Sequence, residues 1–300
     1  MDMLHPSSAL QSVRIAGLSV LLHIQAWASA LPSYHSKAMR EASTSRMAKI
    51  QIPTLFVCSL ESGEIYRACL TLKFMSQGLK YNVDIVMCID CTGSMGCLLE
   101  TVKENALKFY PDLVAMCEAK DKDISELRIR AIGFRDFGFD DDKAIIDSGF
   151  LSIPEQEGKF KEIVNSFIPE GGGPEPESGL EALSMAINSD WTKGGDRRRH
   201  VIVVWSDAST HELGESGKDN SLYPTEVPTN FDELTDWWED EQGGKMNHTS
   251  KRLIIFAPDA KKWTEIGLNW NNTIHHPAKA GMGLCEVDYK TILSTIVNSI

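Results

Sequence analysis

The chain has 300 residues, 42% hydrophobic and 24% charged, values that suit a globular protein with a sizeable core and exclude wholesale disorder. Forty-two Asp/Glu against 30 Lys/Arg give a net charge of −12, which repels phosphate backbones and argues against a nucleic-acid partner. The seven cysteines are odd in number and match no zinc ribbon or regular disulfide framework, so reduced, buried thiols are expected.

Charge divides the chain. Residues 1–82 hold eight Lys/Arg against four Asp/Glu, a net of +4, which leaves −16 for the remaining 218 residues. Residues 1–79 are read as a leader and linker, and 80–300 as the folded domain. Within the leader, 14–30 is apolar and ends in Ala28-Ser29-Ala30, a signal-like pattern. His23 and Gln25 interrupt it, and it is too short for a membrane span. It is taken as an accessory segment of a cytoplasmic protein; if it acts as a signal peptide, the protein is secreted. Residues 52–74 carry two apolar runs that suggest a weak hairpin.

From Lys80 the pattern becomes regular. Val83–Ile89 is a buried strand ending at Asp90-Cys91-Thr92-Gly93-Ser94, and Leu98–Phe109 has helical spacing. Leu127–Phe134 is a second strand, 144–150 a short edge strand, and 155–167 and 177–188 are helices. His200–Trp205 is a strongly apolar strand that stops at Ser206-Asp207. Phe231–Trp238 is helical, Arg252–Ala257 a strand, Asn272–His275 a short strand and Glu286–Val297 a helix. Near-continuous apolar strands alternating with helices imply an α/β fold: a doubly wound, mainly parallel sheet flanked by helices. Ligands in such sheets bind beyond the carboxyl ends of strands. Asp90, Asp136, Asp207 and Asp259 each follow a predicted strand, which gathers carboxylates at that edge.

Asp90, Thr92 and Ser94 alternate along one short loop, so one carboxylate and two hydroxyls can face a common point. Such a set suits a hard divalent cation. The competing reading is a polar turn in which Thr92 or Ser94 caps the following helix. No Gly-Lys-Ser/Thr follows Gly171–Gly173 and no G-x-G-x-x-G follows the first strand, which excludes a P-loop and disfavours a dinucleotide. Asp140-Asp141-Asp142 is expected to be a solvated loop, His211 and Glu212 a surface turn, and His275-His276 to point to opposite faces of a strand.

Asp90–Met95 (DCTGSM), placed after an apolar strand, resembles the first loop of the von Willebrand factor type A (VWA) domain. In that family D-x-[ST]-x-S opens the metal-ion-dependent adhesion site (MIDAS). Gly171–Gly173 leading into SGLEALSMAI resembles its second loop, HVIVVWSD its second aspartate-bearing strand, and RLIIFAPDAKKW…VDYKTIL its last strands and helix. The resemblance spans about residues 80–300. It implies one Mg²⁺ (or Mn²⁺ or Ca²⁺) held by Asp90, Thr92, Ser94 and Asp207. The second loop commonly adds an oxygen, but Pro174 stands there and offers none, which leaves Glu175 or water to supply it. Glu177 is assigned the ordinary role of a carboxylate at a helix N-terminus.

The function implied is a cation-dependent protein-binding module, not an enzyme, completed by an Asp or Glu of the partner. The alternatives are a VWA-like scaffold that binds by surface alone and a Mg²⁺-dependent hydrolase. The last is disfavoured because Thr92 stands where such a phosphatase needs a second aspartate.

Overall fold

A computed structural model describes residues 80–278 and 289–300. The leader, with its signal-like stretch at 14–30 and the hairpin expected at 52–74, lies outside the described residues.

The strands are β1 (Lys80–Asp90), β2 (Asp123–Phe134), β3 (Ile145–Asp147), β4 (Leu151–Ile153), β5 (Arg197–Trp205), β6 (Lys251–Pro258) and β7 (Thr273–Ala278). They form one sheet in the order β3-β2-β1-β5-β6-β7, with β4 also on β2. Strands β2, β1, β5, β6 and β7 run parallel, while β3 and β4 run antiparallel to β2 at its edge. The helices are α1 (Gly96–Glu118), α2 (Glu157–Ser166), α3 (Gly179–Ile187), α4 (Phe231–Glu239), α5 (Lys261–Asn269) and α6 (Tyr289–Ser299). The expected doubly wound α/β fold is what the chain adopts.

The two-residue period of β1 accounts for the layering. Val83, Ile85, Met87 and Ile89 enter one core with Leu99 and Leu113 of α1, Phe160 of α2 and Ile296 of α6. Val86 and Cys88 enter the other, with Leu183 of α3, Trp238 of α4 and Trp263 of α5. Both faces are buried, as near-continuous apolar strands require. Each fully buried Val, Ile or Leu contributes roughly 1.5–3 kcal/mol. Cys88 and Cys91 are spaced C-x-x-C but fall in opposite cores, and both are free thiols.

Three departures from the sequence reading stand out. The edge strand expected at 144–150 is only the three-residue β3, and β4 at Leu151–Ile153 was not foreseen. Helix α5 was not foreseen: it buries only Trp263 and Ile266, and Gly267 sits inside it because a Cβ there would meet the His275 Cβ at 2.5 Å. Helix α1 runs well past Phe109, through Pro111, to Glu118.

Chain order reverses at β1. From β1 the chain crosses through α1 to β2 on one side, and β5 later pairs on the other. The carboxyl ends of β1 and β5 therefore flank the topological switch point, the usual ligand position in open α/β sheets. Ile89 is in register with Trp205, which sets Asp90 beside Ser206 and Asp207.

Candidate functional site

Three loops meet at this switch point. The first, 90–95, leaves β1. Asp90 is fully buried, and its Oδ1 accepts from the Thr92 amide at 2.9 Å and the Thr92 hydroxyl at 2.6 Å. The Thr92 Oγ1 lies 3.3 Å from the Ser94 Oγ, and Ser94 donates to Asp207 Oδ1 at 2.9 Å. Ser206 donates to Asp90 Oδ2 at 2.7 Å. Asp90, Thr92, Ser94 and Asp207 thus form one continuous chain of oxygens. Neither hydroxyl caps a helix, since the 3-10 turn at Gly93–Met95 and α1 both begin without a side-chain cap. The capping alternative fails at this point.

The second loop, 169–178, is drawn against the first by main-chain bonds: Glu170 N to Cys91 O at 3.2 Å and Gly93 N to Gly171 O at 3.3 Å. Gly171, Gly172 and Gly173 all have positive φ (70°, 95° and 58°), a left-handed run that only glycine adopts without strain. Asp140 fixes the run from outside by accepting from Gly172 N at 3.0 Å and Asp136 N at 3.1 Å. It is a built part of the site, not the solvated loop residue expected.

Arg135, 3% exposed, closes the assembly. Its guanidinium donates to Cys91 O at 3.0 Å, to Ile168 O at 2.6 Å and to Lys143 O, joining the loops after β1 and β2 to the one after α2. Asp136, beside it, is buried and accepts from Gly138 N, Ser216 Oγ and Ser178 Oγ at 2.7, 2.9 and 3.4 Å. Its other oxygen lies 3.2 Å from His211 Nε2. The expected surface turn at 211–212 is therefore half right. Glu212 faces solvent and pairs with Lys262 at 3.1 Å, while His211 turns inward. Asp259 stays at the surface, its carboxylate 3.4 Å from Thr264, and takes no part in the cluster. His275 and His276 do diverge, one to Ala257 O and the other stacked on Phe256.

The second loop also decides between two glutamates. Glu175 is exposed, its carboxylate 3.4–3.5 Å from the Ser209 amide and hydroxyl, so it stands at the rim outside the hydrogen-bonded oxygens. Pro174 is exposed as well. The inward carboxylate is Glu177, 4% exposed, to which the sequence had assigned a helix-dipole role. A Cβ on Gly172 would meet Thr92 Cγ2 at 2.5 Å and Glu177 Oε1 at 2.7 Å, so Thr92 and Glu177 sit side by side. Glu177 Oε2 is buried and has no hydrogen-bond partner among the described residues.

Burial, and at Glu177 crowding of like charge as well, shows in the acidities. Burial raises Asp90 to about 6, against the opposing hydrogen bonds from Thr92 and Ser206. Burial also raises Asp207. Glu177 is pushed to about 9, first by burial and then by Asp90, Asp136, Asp140 and Asp207. Among the described residues no lysine or arginine pairs with Asp90, Asp207 or Glu177. Cys91 is held up at about 12 by burial, which keeps its thiol inert.

Among the described residues no three His, Cys, Asp or Glu side chains stand in position to hold an ion between them. The donor set is of another kind, two carboxylates and two hydroxyls in sequence. All four are hard oxygen donors, which suit Mg²⁺, Mn²⁺ or Ca²⁺ over zinc. Ser94 and Gly93 are exposed, so the set opens to solvent on that side. A separate groove of about 700 Å³, lined by residues including Tyr110, Ile124, Arg128 and Pro154, lies by the first half of β2, away from this edge.

No family model matches the chain, and no curated protein matches it in sequence. Solved structures similar to it include the open conformation of the pilus adhesin SpaC from Lactobacillus rhamnosus GG, with a TM-score of 0.30 and 15% identity over 42% of this chain and 15% of that one. The vWF domain of the type V pili tip protein Mfa5 from Porphyromonas gingivalis has a TM-score of 0.31 and 20% identity over 44% of this chain and 39% of that one. Proximal thread matrix protein 1 from the mussel byssus has a TM-score of 0.33 and 10% identity over 73% and 47%. The chain thus spans less than half the length of each of these structures. The fold class rests on the sheet order itself. No helix among the described residues is long and apolar enough to cross a membrane.

Proposed function

We propose that residues 80–300 form a VWA-type interaction module whose contact with a protein partner depends on a divalent cation at the switch point. The observation that carries this reading is the oxygen chain from Asp90 through Thr92 and Ser94 to Asp207, whose hydroxyls are turned onto carboxylates and away from helix caps. Asp90, Thr92, Ser94 and Asp207 would hold one Mg²⁺, Mn²⁺ or Ca²⁺. The bound ion supplies positive charge at an edge that otherwise repels acidic groups. Ser206 orients Asp90, Asp140 and Arg135 hold the loops, and exposed Ser94 marks the side on which a partner's Asp or Glu would complete the coordination.

Calorimetric titration with Mn²⁺ and Mg²⁺ tests the reading. Asp207→Ala is expected to lower affinity by about tenfold or more, because one of two carboxylates no longer offsets dehydration of the ion. Pull-down by the immobilised domain, with and without chelator, is expected to lose its partner in chelator. Unchanged Mn²⁺ affinity in the Asp207 variant removes that residue from the site. Capture that persists in chelator favours the metal-independent scaffold.

A further inference from the structure

Glu177 is not accounted for by the four-residue set. Its carboxyl group is almost wholly buried, yet among the described residues Oε2 has no donor, and an unpaired polar oxygen is costly in such a place. The main chain forces it there. Glu177 N donates to Ser209 O at 2.9 Å and its own carbonyl accepts from His211 N at 2.9 Å, which pins the residue between the second loop and the loop after β5. The side chain then lies beside Thr92, among carboxylates, and no cation among the described residues is paired to it. Glu181, whose Oε2 is likewise unpartnered, still has its other oxygen held by Gly214 N and the Tyr223 hydroxyl, both at 3.0 Å. Every other carboxylate in this cluster has a donor: Asp90 has Thr92 and Ser206, Asp207 has Ser94, Asp136 has Gly138 and Ser216, and Asp140 has Gly172.

Small hard cations keep part of their water shell when bound, and metal-bound water is a strong, polarised O–H donor. We propose that Glu177 is the acceptor for the water shell of the cation at Asp90, Thr92, Ser94 and Asp207, a third carboxylate that grips the ion through its waters. This rests on the cation reading above, and it fits an arrangement in which the three carboxylates do not stand close enough to share an ion directly. It also gives the second loop the part that Pro174 cannot play. With three carboxylates around a divalent ion the local charge is about −1, so a partner group that binds the ion meets less attraction than at a two-carboxylate site. A neutral oxygen or an acidic group flanked by basic residues becomes the favoured partner chemistry.

The test uses Glu177→Gln, which keeps shape and removes charge. Mn²⁺ and Mg²⁺ are titrated into the full chain and the variant by calorimetry, and thermal midpoints are measured in chelator and in saturating Mg²⁺. The expected result is Mn²⁺ and Mg²⁺ affinity lower by about tenfold or more, with a variant that is more stable than the parent in chelator because an amide, unlike the carboxyl, does not have to be held neutral against its ordinary acidity. The rise in midpoint on adding Mg²⁺ is then smaller than in the parent. Equal affinity in parent and variant, with equal Mg²⁺-induced shifts, overturns the assignment and makes Glu177 a buried neutral acid of the fold. A parent chain that takes up neither Mn²⁺ nor Mg²⁺ overturns the cation reading and this inference together.

Discussion

Gly172 shows how narrowly the site is specified at the scale of one residue. Its φ of 95° and the 2.5 Å approach a Cβ would make to Thr92 act together. Gly172→Ala is expected to cost at least about 2 kcal/mol of stability, from left-handed strain and displacement of the first loop. Cation binding is expected to fall with it. Gly158 is the control. It lies in α2 with negative φ and open space where a Cβ would sit, so Gly158→Ala is expected to gain about 0.5–1 kcal/mol. Thermal unfolding of both, with Mn²⁺ titration alongside, checks the pair; a Gly172 variant as stable as the parent removes the steric argument. The same scale explains what the sequence concealed. Asp90, Thr92 and Ser94 were readable because they are contiguous and follow an apolar strand. Glu177 was not, since the choice between Glu175 and Glu177 is made by bonds from Ser209 and His211, both more than 30 residues further along. Asp140 and His211 were passed over for the same reason: their partners, Gly172 and Asp136, are 32 and 75 residues away.

Among the elements, β1 was the most legible, because burial on both faces leaves a continuous apolar run. The charged residue within that run, Asp84, is 1% exposed and held by a two-pronged bond from Arg128 at 2.8 and 2.7 Å, with the Thr192 amide at 2.7 Å. The pair clamps β1, β2 and the turn before β5. Asp84→Ala leaves the Arg128 charge and the Thr192 amide without their acceptor, and is expected to cost about 3–5 kcal/mol. Six residues of strand, roughly 20 Å, separate it from Asp90. Mn²⁺ affinity, measured well below the lowered unfolding midpoint, is therefore expected to stay within about twofold of the parent. A large loss of affinity in a folded variant would mean that the amino end of β1 is coupled to the site. Helix α5 marks the opposite limit of legibility, because nine residues with two buried side chains and a glycine in the last turn give too weak a period to read.

For the whole molecule, the crowded carboxylates make stability depend on pH. Glu177 remains protonated in the fold up to about 9, whereas in the unfolded chain it ionises near 4.3. The folded state then binds more protons than the unfolded state, so stability falls as pH rises through that window. Asp90, raised to about 6, has completed its part by pH 7. Between pH 7 and 9 in chelator the share assigned to Glu177 is at most about 2–3 kcal/mol; above about pH 8 the thiols of Cys88, Cys91 and Cys117, also held up by burial, add to the decline. The expected observation is a midpoint falling by several degrees over that range. The slope below about pH 8, where the thiols contribute little, is expected to be shallower in Glu177→Gln or in saturating Mg²⁺. A parent midpoint that holds steady from pH 7 to 9 in chelator would show that Glu177 is already ionised.

The position of β1 in the sheet also sets a timetable for the growing polypeptide. Its partner on one side, β2, follows within a few dozen residues, but its partner on the other, β5, begins 107 positions after β1 ends. At ordinary translation speeds that interval is roughly 5–20 s. Throughout it a strand destined for burial on both faces exposes an unpaired edge, beside the loop of Asp90, Thr92 and Ser94, whose partner Asp207 has not yet been synthesised. A nascent chain in this state is a substrate for chaperones and for edge-to-edge aggregation. Slowing synthesis after residue 134 is expected to lengthen that exposure, and slowing it after residue 205 is not.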